Sequence, residues 1–185
     1  MPAGRLASLI VLGKEKASKT DNQKFQMKKT LRVGASFGLT SGAITTMGLI
    51  VGLYEGTHSL KAVVGGVLTI AVADAFSDAL GMHIHEESEN EHTIKEIWES
   101  TIATFISKFV FTVSFLVPVL LFDLNTSVTV SVVWGLTLVA IISYFIARDQ
   151  RAPVYKIVGE HVSIAVIVII VTHWIGYRIY SLVNF

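Results

Sequence analysis

Two aspartates stand one helical turn apart in a long stretch that carries no other charge. Asp74 and Asp78 lie inside the apolar run from Val63 to Met82, and residues four apart share one face of a helix. Paired carboxylates can share a proton, bind a divalent cation, or exchange one for the other. An ionised carboxylate inside a bilayer costs at least about 2.5 kcal/mol, which favours a functional role. The alternative is a structural ion pair, with Lys108 in the next apolar run as its partner.

A second group of metal-ligating residue types follows in the segment HIHEESENEH, residues 83–92. The candidate ligands are His83, His85, Glu86, Glu87, Glu89, Glu91 and His92. Imidazole nitrogens together with carboxylate oxygens suit divalent iron, manganese or zinc. The alternative interpretation is a solvated acidic stretch at a membrane surface.

Small residues form a stripe along the first apolar run. Six glycines fall within roughly 120° of the helix circumference; they are Gly34, Gly38, Gly42, Gly48, Gly52 and Gly56. Such a stripe predicts close helix packing, either within the chain or between subunits. Ser41 and Thr45 lie on the same stripe, and Met82 shares the face of Asp74 and Asp78. These three residues are candidates for lining a transport path.

The elements that must position these residues are membrane helices. The chain of 185 residues is 52% hydrophobic and only 16% charged, with a mean hydropathy of +0.61, which disfavours soluble enzymes and nucleic-acid-binding proteins. Five runs reach the roughly 20 residues that a transmembrane helix needs. They are Val33–Leu53, Ala62–Met82, Thr101–Phe122, Val128–Ala147 and Val162–Val183. We therefore expect an all-α integral membrane protein with five transmembrane helices over residues 31–185 and an acidic connection at about residues 83–100.

Basic residues predict the orientation of these helices. Eight of the 15 Lys and Arg residues lie in the first 32 positions, so residues 1–30 form a basic segment that we expect on the cytoplasmic side. Five spans then place the acidic connection in the cytoplasm and the carboxyl terminus outside or in a lumen. The chain has no cysteine, and no nucleophile stands beside a base, so we expect neither an enzyme nor an organic cofactor.

Two segments of the chain carry distinctive motifs: Ser36–Gly56 reads SFGLTSGAITTMGLIVGLYEG, and the segment that begins at Ala73 reads ADAFSDALGMHIHEESE. Both resemble the vacuolar iron transporter family, and looser similarity includes Pro118 and THWIGYRI, Thr172–Ile179. The family pattern has an aspartate at the position of Ser41 and a methionine at that of Asp78, whereas Asp74 matches an aspartate found in part of the family. The exchange of a thioether for a carboxylate implies a harder, oxygen-rich site.

This resemblance implies a homodimer that exchanges cytoplasmic divalent metal for protons, with Fe²⁺ or Mn²⁺ as the expected substrate and Zn²⁺ as a further candidate. Asp74 and Asp78 would bind the ion in the membrane, and the acidic connection would collect it. The membrane could be the cell membrane or that of an organelle. The alternative is a non-transporting metal sensor or assembly subunit of the same fold.

Overall fold

The computed structural model describes the backbone of residues 3–183 and the side chains of residues 29–183. The described backbone is almost entirely helical and has no strand. Its helices are α1 (Ala3–Thr57), α2 (Leu60–Ser88), α3 (Ile94–Ser114), α4 (Leu116–Leu121), α5 (Leu124–Asp149) and α6 (Val154–Val183).

Five helical stretches are long and apolar enough to cross a membrane. They are Lys29–Thr57 within α1, the whole of α2, Ile94–Leu121 across α3 and α4, the whole of α5 and the whole of α6. The prediction of an all-helical membrane protein with five spans is thus confirmed. Each helix extends beyond the apolar run that predicted it because polar residues continue the helix past the hydrophobic segment. The basic segment predicted at residues 1–30 continues the helix of the first span as far back as Ala3, and its side chains up to residue 28 lie outside the described residues.

The acidic connection is shorter than the sequence suggested. Helix α2 continues to Ser88 and α3 begins at Ile94, so only residues 89–93 link them. Asn90 adopts a left-handed backbone with φ of 55° where α2 ends, and Asn tolerates this conformation better than most residues. Thr93 starts α3 with a capping box, since its hydroxyl accepts the N–H of Glu96 while the Glu96 carboxylate accepts the N–H of Thr93. We call the end of the bundle formed by residues 89–93 the acidic end.

The third span is divided by a proline. Pro118 has no N–H to donate to the carbonyl of Ser114, so the regular hydrogen-bonding pattern is interrupted there. Helix α3 ends at Ser114 and the six-residue α4 completes the span.

Helix α1 lies at the centre of the bundle and packs against α2, α3, α5 and α6. Its glycine stripe is covered by helices of the same chain. A Cβ added at Gly38 would lie 2.5 Å from the carbonyl oxygen of Thr104 on α3, and one added at Gly56 would lie 3.5 Å from the backbone of Gly176 on α6. The predicted close packing of the first span is confirmed, and both partners, α3 and then α6, belong to the same chain.

The interior changes character along the bundle axis. Away from the acidic end the buried core is largely apolar and includes Met47, Val63, Val67, Phe115 and Val119. Towards the acidic end, the buried residues of α3 are polar except for Ile97. The candidate functional residues lie between the middle of the bundle and this polar end.

Candidate functional site

A buried ion-pair cluster lies where α1, α2 and α3 meet. The side chain of Lys108 is 1% exposed, and its Nζ lies 2.5 Å from Oδ2 of Asp74 and also contacts Oδ2 of Asp78. Nζ donates a hydrogen bond of 2.9 Å to Oγ of Ser41, whose hydroxyl in turn donates one of 2.6 Å to Asp78. The lysine that the sequence offered as the alternative partner of Asp78 therefore contacts both aspartates. We call Ser41, Asp74, Asp78 and Lys108 the central cluster.

The central cluster lies midway along its helices. Asp74 has fourteen residues of α2 on either side of it, and Lys108 occupies the equivalent central position in the span Ile94–Leu121. At 1.5 Å per residue, Asp74 lies about 21 Å from either end of α2. The charges therefore stand near the level of a bilayer midplane, where water is scarce and an unpaired ion is costly.

The lysine is one member of a polar stripe that sequence analysis missed. Five buried polar residues follow one another at four-residue intervals on α3 and thus share one face of the helix; they are Glu96, Ser100, Thr104, Lys108 and Thr112. Thr104 Oγ1 donates 3.1 Å to the carbonyl of Gly34, and Ser100 Oγ donates 3.4 Å to Oε1 of Glu86. The regular spacing of these residues in the sequence was the signal that could have revealed them.

At the acidic end, three of the predicted ligands come together. Glu86, Glu89 and His92 each offer one ligand atom, and these atoms lie within 4.8 Å of one another. His92 Nε2 lies 3.1 Å from Oε2 of Glu86 and 3.4 Å from Oε2 of Glu89. Glu86 is buried, with 4% of its side chain exposed, and His92 is 10% exposed. Two carboxylates and an imidazole in this arrangement could hold a divalent first-row metal. We call these three residues the acidic-end cluster.

The other predicted ligands of this segment lie outside the acidic-end cluster. His85 is exposed and pairs with Oε1 of Glu89 at 3.5 Å. Glu87 and Glu91 are exposed and make no ion pair with any described residue. His83 faces α3, where its Nδ1 lies 3.0 Å from Oγ1 of Thr101 and its ring meets that of Trp98 edge to face. The hydroxyl of Thr101 also donates a hydrogen bond of 2.7 Å to the carbonyl of Ile97.

One face of α2 connects the two clusters. Asp74, Asp78, Met82 and Glu86 follow at four-residue intervals, and Met82 and Glu86 are buried. The rise from Glu86 to Asp78 is about 12 Å, and that to Asp74 about 18 Å. Of the predicted path residues, Met82 belongs to this face and Ser41 contacts it through Asp78. Thr45 is exposed, and its hydroxyl donates 2.9 Å to the carbonyl of Ser41.

Another titratable pair, not identified from the sequence, lies at the opposite end of the bundle. Nδ1 of His173 on α6 is 3.1 Å from Oε1 of Glu55 on α1, with side chains 56% and 20% exposed. The close approach of the two helices at Gly52, Gly56 and Gly176 brings these groups together.

The arrangement offers carboxylate oxygens at two levels of one helix, with an imidazole at the acidic end and an ammonium at the midplane. Carboxylate sites of this kind can bind a cation or a proton. No protein-family model and no curated protein sequence matches the chain.

Proposed function

We propose that this protein is a membrane transporter that moves a divalent metal cation out of the cytoplasm in exchange for protons. Fe²⁺ and Mn²⁺ are the expected substrates, and Zn²⁺ is a further candidate because its ligand preferences overlap with theirs. The acidic-end cluster would take the ion from the cytoplasm, and Asp74 with Asp78 would hold it in the membrane.

One observation carries this proposal: the ligand-bearing face of α2. Asp74, Asp78, Met82 and Glu86 form one row that leads from the acidic-end cluster to the central cluster. A structural ion pair alone would need only Lys108 and one aspartate. Two carboxylates beside the lysine, a thioether and a further buried carboxylate supply more cation ligands than pairing requires.

Proton exchange follows from the same carboxylates. A metal ion and a proton compete for one oxygen lone pair, so a carboxylate that releases the metal on the far side can return with a proton. The exchange also keeps the charge that crosses the low-dielectric region small, which lowers the electrostatic barrier.

A second copy of the chain would complete the path. Asp74 is 30% exposed at the level of the midplane, and an ionised group there requires cover from lipid. Beside it, α2 presents exposed small residues at four-residue intervals, a pattern that favours helix association; they are Gly65, Thr69, Ala73, Ser77 and Gly81. We propose a homodimer that packs along this stripe, with the amino terminus in the cytoplasm.

Cysteine cross-linking tests the dimer, since the chain has no cysteine of its own. We expect Ser77→Cys to form a disulfide-linked dimer in membranes. Thr137→Cys, an exposed position on α5, should remain monomeric on a non-reducing gel. Equal cross-linking at both positions, or none at Ser77→Cys, would contradict the proposed interface.

Transport is tested in liposomes that contain a metal-sensitive dye and a pH-sensitive dye. Addition of Mn²⁺ should change both signals in the wild type. Asp78→Asn should abolish metal-driven proton movement because an amide cannot ionise. A folded Asp78→Asn protein with undiminished exchange would refute the role of the central cluster.

A matched pair of variants tests the acidic-end cluster. Glu89→Gln with His92→Ala removes two of its ligands, whereas Glu87→Gln with Glu91→Gln removes two exposed carboxylates nearby. We expect the first pair to raise the Mn²⁺ concentration at half-maximal rate several-fold with little change in the maximal rate, since these groups concentrate the ion without shaping the barrier. Equal effects of both pairs would mean that the acidic-end cluster acts only through its surface charge.

The alternative function is a non-transporting sensor or assembly subunit, and the position of Lys108 favours it. The ammonium already neutralises one aspartate, so the central cluster could be purely structural. That function predicts Mn²⁺ binding at the acidic end without dye signals inside liposomes.

A further inference from the structure

The ammonium of Lys108 lies where a cation bound between Asp74 and Asp78 would lie. Nζ is surrounded by one oxygen from each carboxylate and by the hydroxyl of Ser41. Oxygen atoms of these kinds are the ligands that hard divalent cations prefer. We propose that Lys108 is a tethered cation that fills this site when no metal is bound, and that it excludes monovalent cations from the site. This inference rests on the proposed use of Asp74 and Asp78 as metal ligands.

The selectivity follows from charge. With all three groups ionised, two aspartates and one lysine carry a net charge of −1. A monovalent cation that replaces the ammonium offers the carboxylates no greater charge than the ammonium did, and it must also leave its water shell. A divalent cation doubles the attraction, because the Coulomb energy scales with the product of the charges. Provided that the carboxylate and hydroxyl oxygens replace the water that it must also lose, the divalent ion is therefore the stronger competitor for the position of the ammonium.

The packing around Lys108 fixes its backbone beside the site, so the ammonium is always within reach of it. The residue is fully buried on α3, and its backbone faces the glycines of α1, where a Cβ added at Gly42 would lie 3.3 Å from the Lys108 carbonyl oxygen. A tethered group competes at an effective concentration that is fixed by geometry and is independent of the salt outside. When the ammonium moves away, the hydroxyl of Ser41 loses a donor and becomes available as a further oxygen ligand.

The inference can be tested by Mn²⁺ binding to the full-length protein in lipid nanodiscs. The parent protein carries Glu89→Gln and His92→Ala, so that the acidic-end cluster no longer contributes. Bound Mn²⁺ is measured from the loss of the electron paramagnetic resonance signal of the free ion. Into this parent we introduce Lys108→Met or Lys108→Gln, and Lys95→Met serves as a control that removes one exposed positive charge.

Removal of the tethered cation should raise the affinity for Mn²⁺ at least about tenfold, because an apparent dissociation constant scales inversely with the fraction of empty sites. Lys95→Met should leave the affinity for Mn²⁺ within about twofold of that of the parent. Na⁺ in large excess should displace Mn²⁺ from the Lys108 variants and leave binding to the parent unchanged. Adding Asp74→Asn to Lys108→Met should cancel the gain in affinity.

A folded Lys108 variant that binds Mn²⁺ no more tightly than the parent would overturn the inference. If neither Lys108 variant folds, competition in the parent decides the matter: displacement of Mn²⁺ by Na⁺ would overturn the inference, and resistance to Na⁺ would support it. The proposed function fails separately. If the wild type moves no metal but Lys108→Met binds Mn²⁺ more tightly, transport is refuted and the inference about the tethered cation still holds.

Discussion

The central cluster makes a quantitative prediction about stability. Lys108→Met leaves Asp74 and Asp78 near the bilayer midplane without their cation. Removing one partner of a buried pair costs about 3–5 kcal/mol, and Lys108 is almost completely buried. Asp78→Asn should cost less, about 1–3 kcal/mol, because Lys108 keeps its contacts with Asp74 and Ser41. Asp74→Asn should cost least, since Asp74 is the most exposed of the three charges.

The double variant separates pairing from simple loss of side chains. In Lys108→Met with Asp78→Asn, only the partly exposed carboxylate of Asp74 remains unpaired. We therefore expect the double variant to be more stable than Lys108→Met alone, with a coupling free energy of about 1–3 kcal/mol.

Thermal unfolding in detergent, followed by tryptophan fluorescence, measures these differences. At roughly 2–4 °C per kcal/mol for a chain of this size, Lys108→Met should lower the Tm by roughly 6–20 °C. Lys95→Met controls for the loss of a positive charge, and saturating Mn²⁺ should restore part of the loss in Lys108→Met by binding the folded state. An unchanged Tm for Lys108→Met would refute the reasoning, and so would a double variant as unstable as the sum of the two single changes.

Further predictions concern the glycine stripe and a helix cap. Gly38→Ala should destabilise the protein by about 1–3 kcal/mol, because its Cβ would lie 2.1 Å from Oγ of Ser107 and 2.5 Å from a carbonyl oxygen. Gly159→Ala, where a Cβ meets nothing within 4 Å, should keep the Tm or raise it slightly, because alanine favours a helix more than glycine does; equal Tm values for both variants would contradict this packing. The backbone N–H of Thr126 binds the carboxylate of Asp123 at the start of α5 and lowers the pKa of Asp123 below its ordinary value. The stabilisation that this hydrogen bond provides is therefore present at neutral pH, and it is lost as the pH falls through the lowered pKa of Asp123. Asp123→Ala should lower the Tm at neutral pH and have no effect in strong acid, and a difference in Tm independent of pH would rule out this capping role.

Hydrophobic run length was sufficient to predict the fold. A membrane helix must satisfy its own backbone hydrogen bonds, so apolar runs of about 20 residues leave few alternatives. The ends of the helices were less predictable, because polar residues such as Glu86 and Ser88 continue α2 beyond its apolar run. The break before Pro118 depends on the loss of a single backbone N–H donor. The sequence placed this proline near the end of the third span but did not predict a separate helix there.

The site was only partly predictable from the sequence. Asp74 and Asp78 were identified because charge is rare within a membrane span. Their contact with Lys108 was left as one of two alternatives, because nothing in the sequence fixes the rotation and height of α3 against α2. The same lack of tertiary information hid the division within the acidic segment. Neighbouring residues on a helix differ by about 100° in direction, so Glu86 faces the interior whereas Glu87 faces outward.

The polar stripe on α3 has a consequence for how the chain enters the bilayer during its synthesis. Lys108 at the centre of a span costs roughly 2.5–3.5 kcal/mol on insertion, and Ser100, Thr104 and Thr112 add further polar groups to the same segment. Helix α2 brings its own penalty through Asp74 and Asp78. The charges on the two helices neutralise each other only when both helices are in the membrane, and the link between the helices is just five residues long. We therefore expect α2 and α3 to leave the translocon together as a helical hairpin, so that the charges reach the hydrocarbon region already paired.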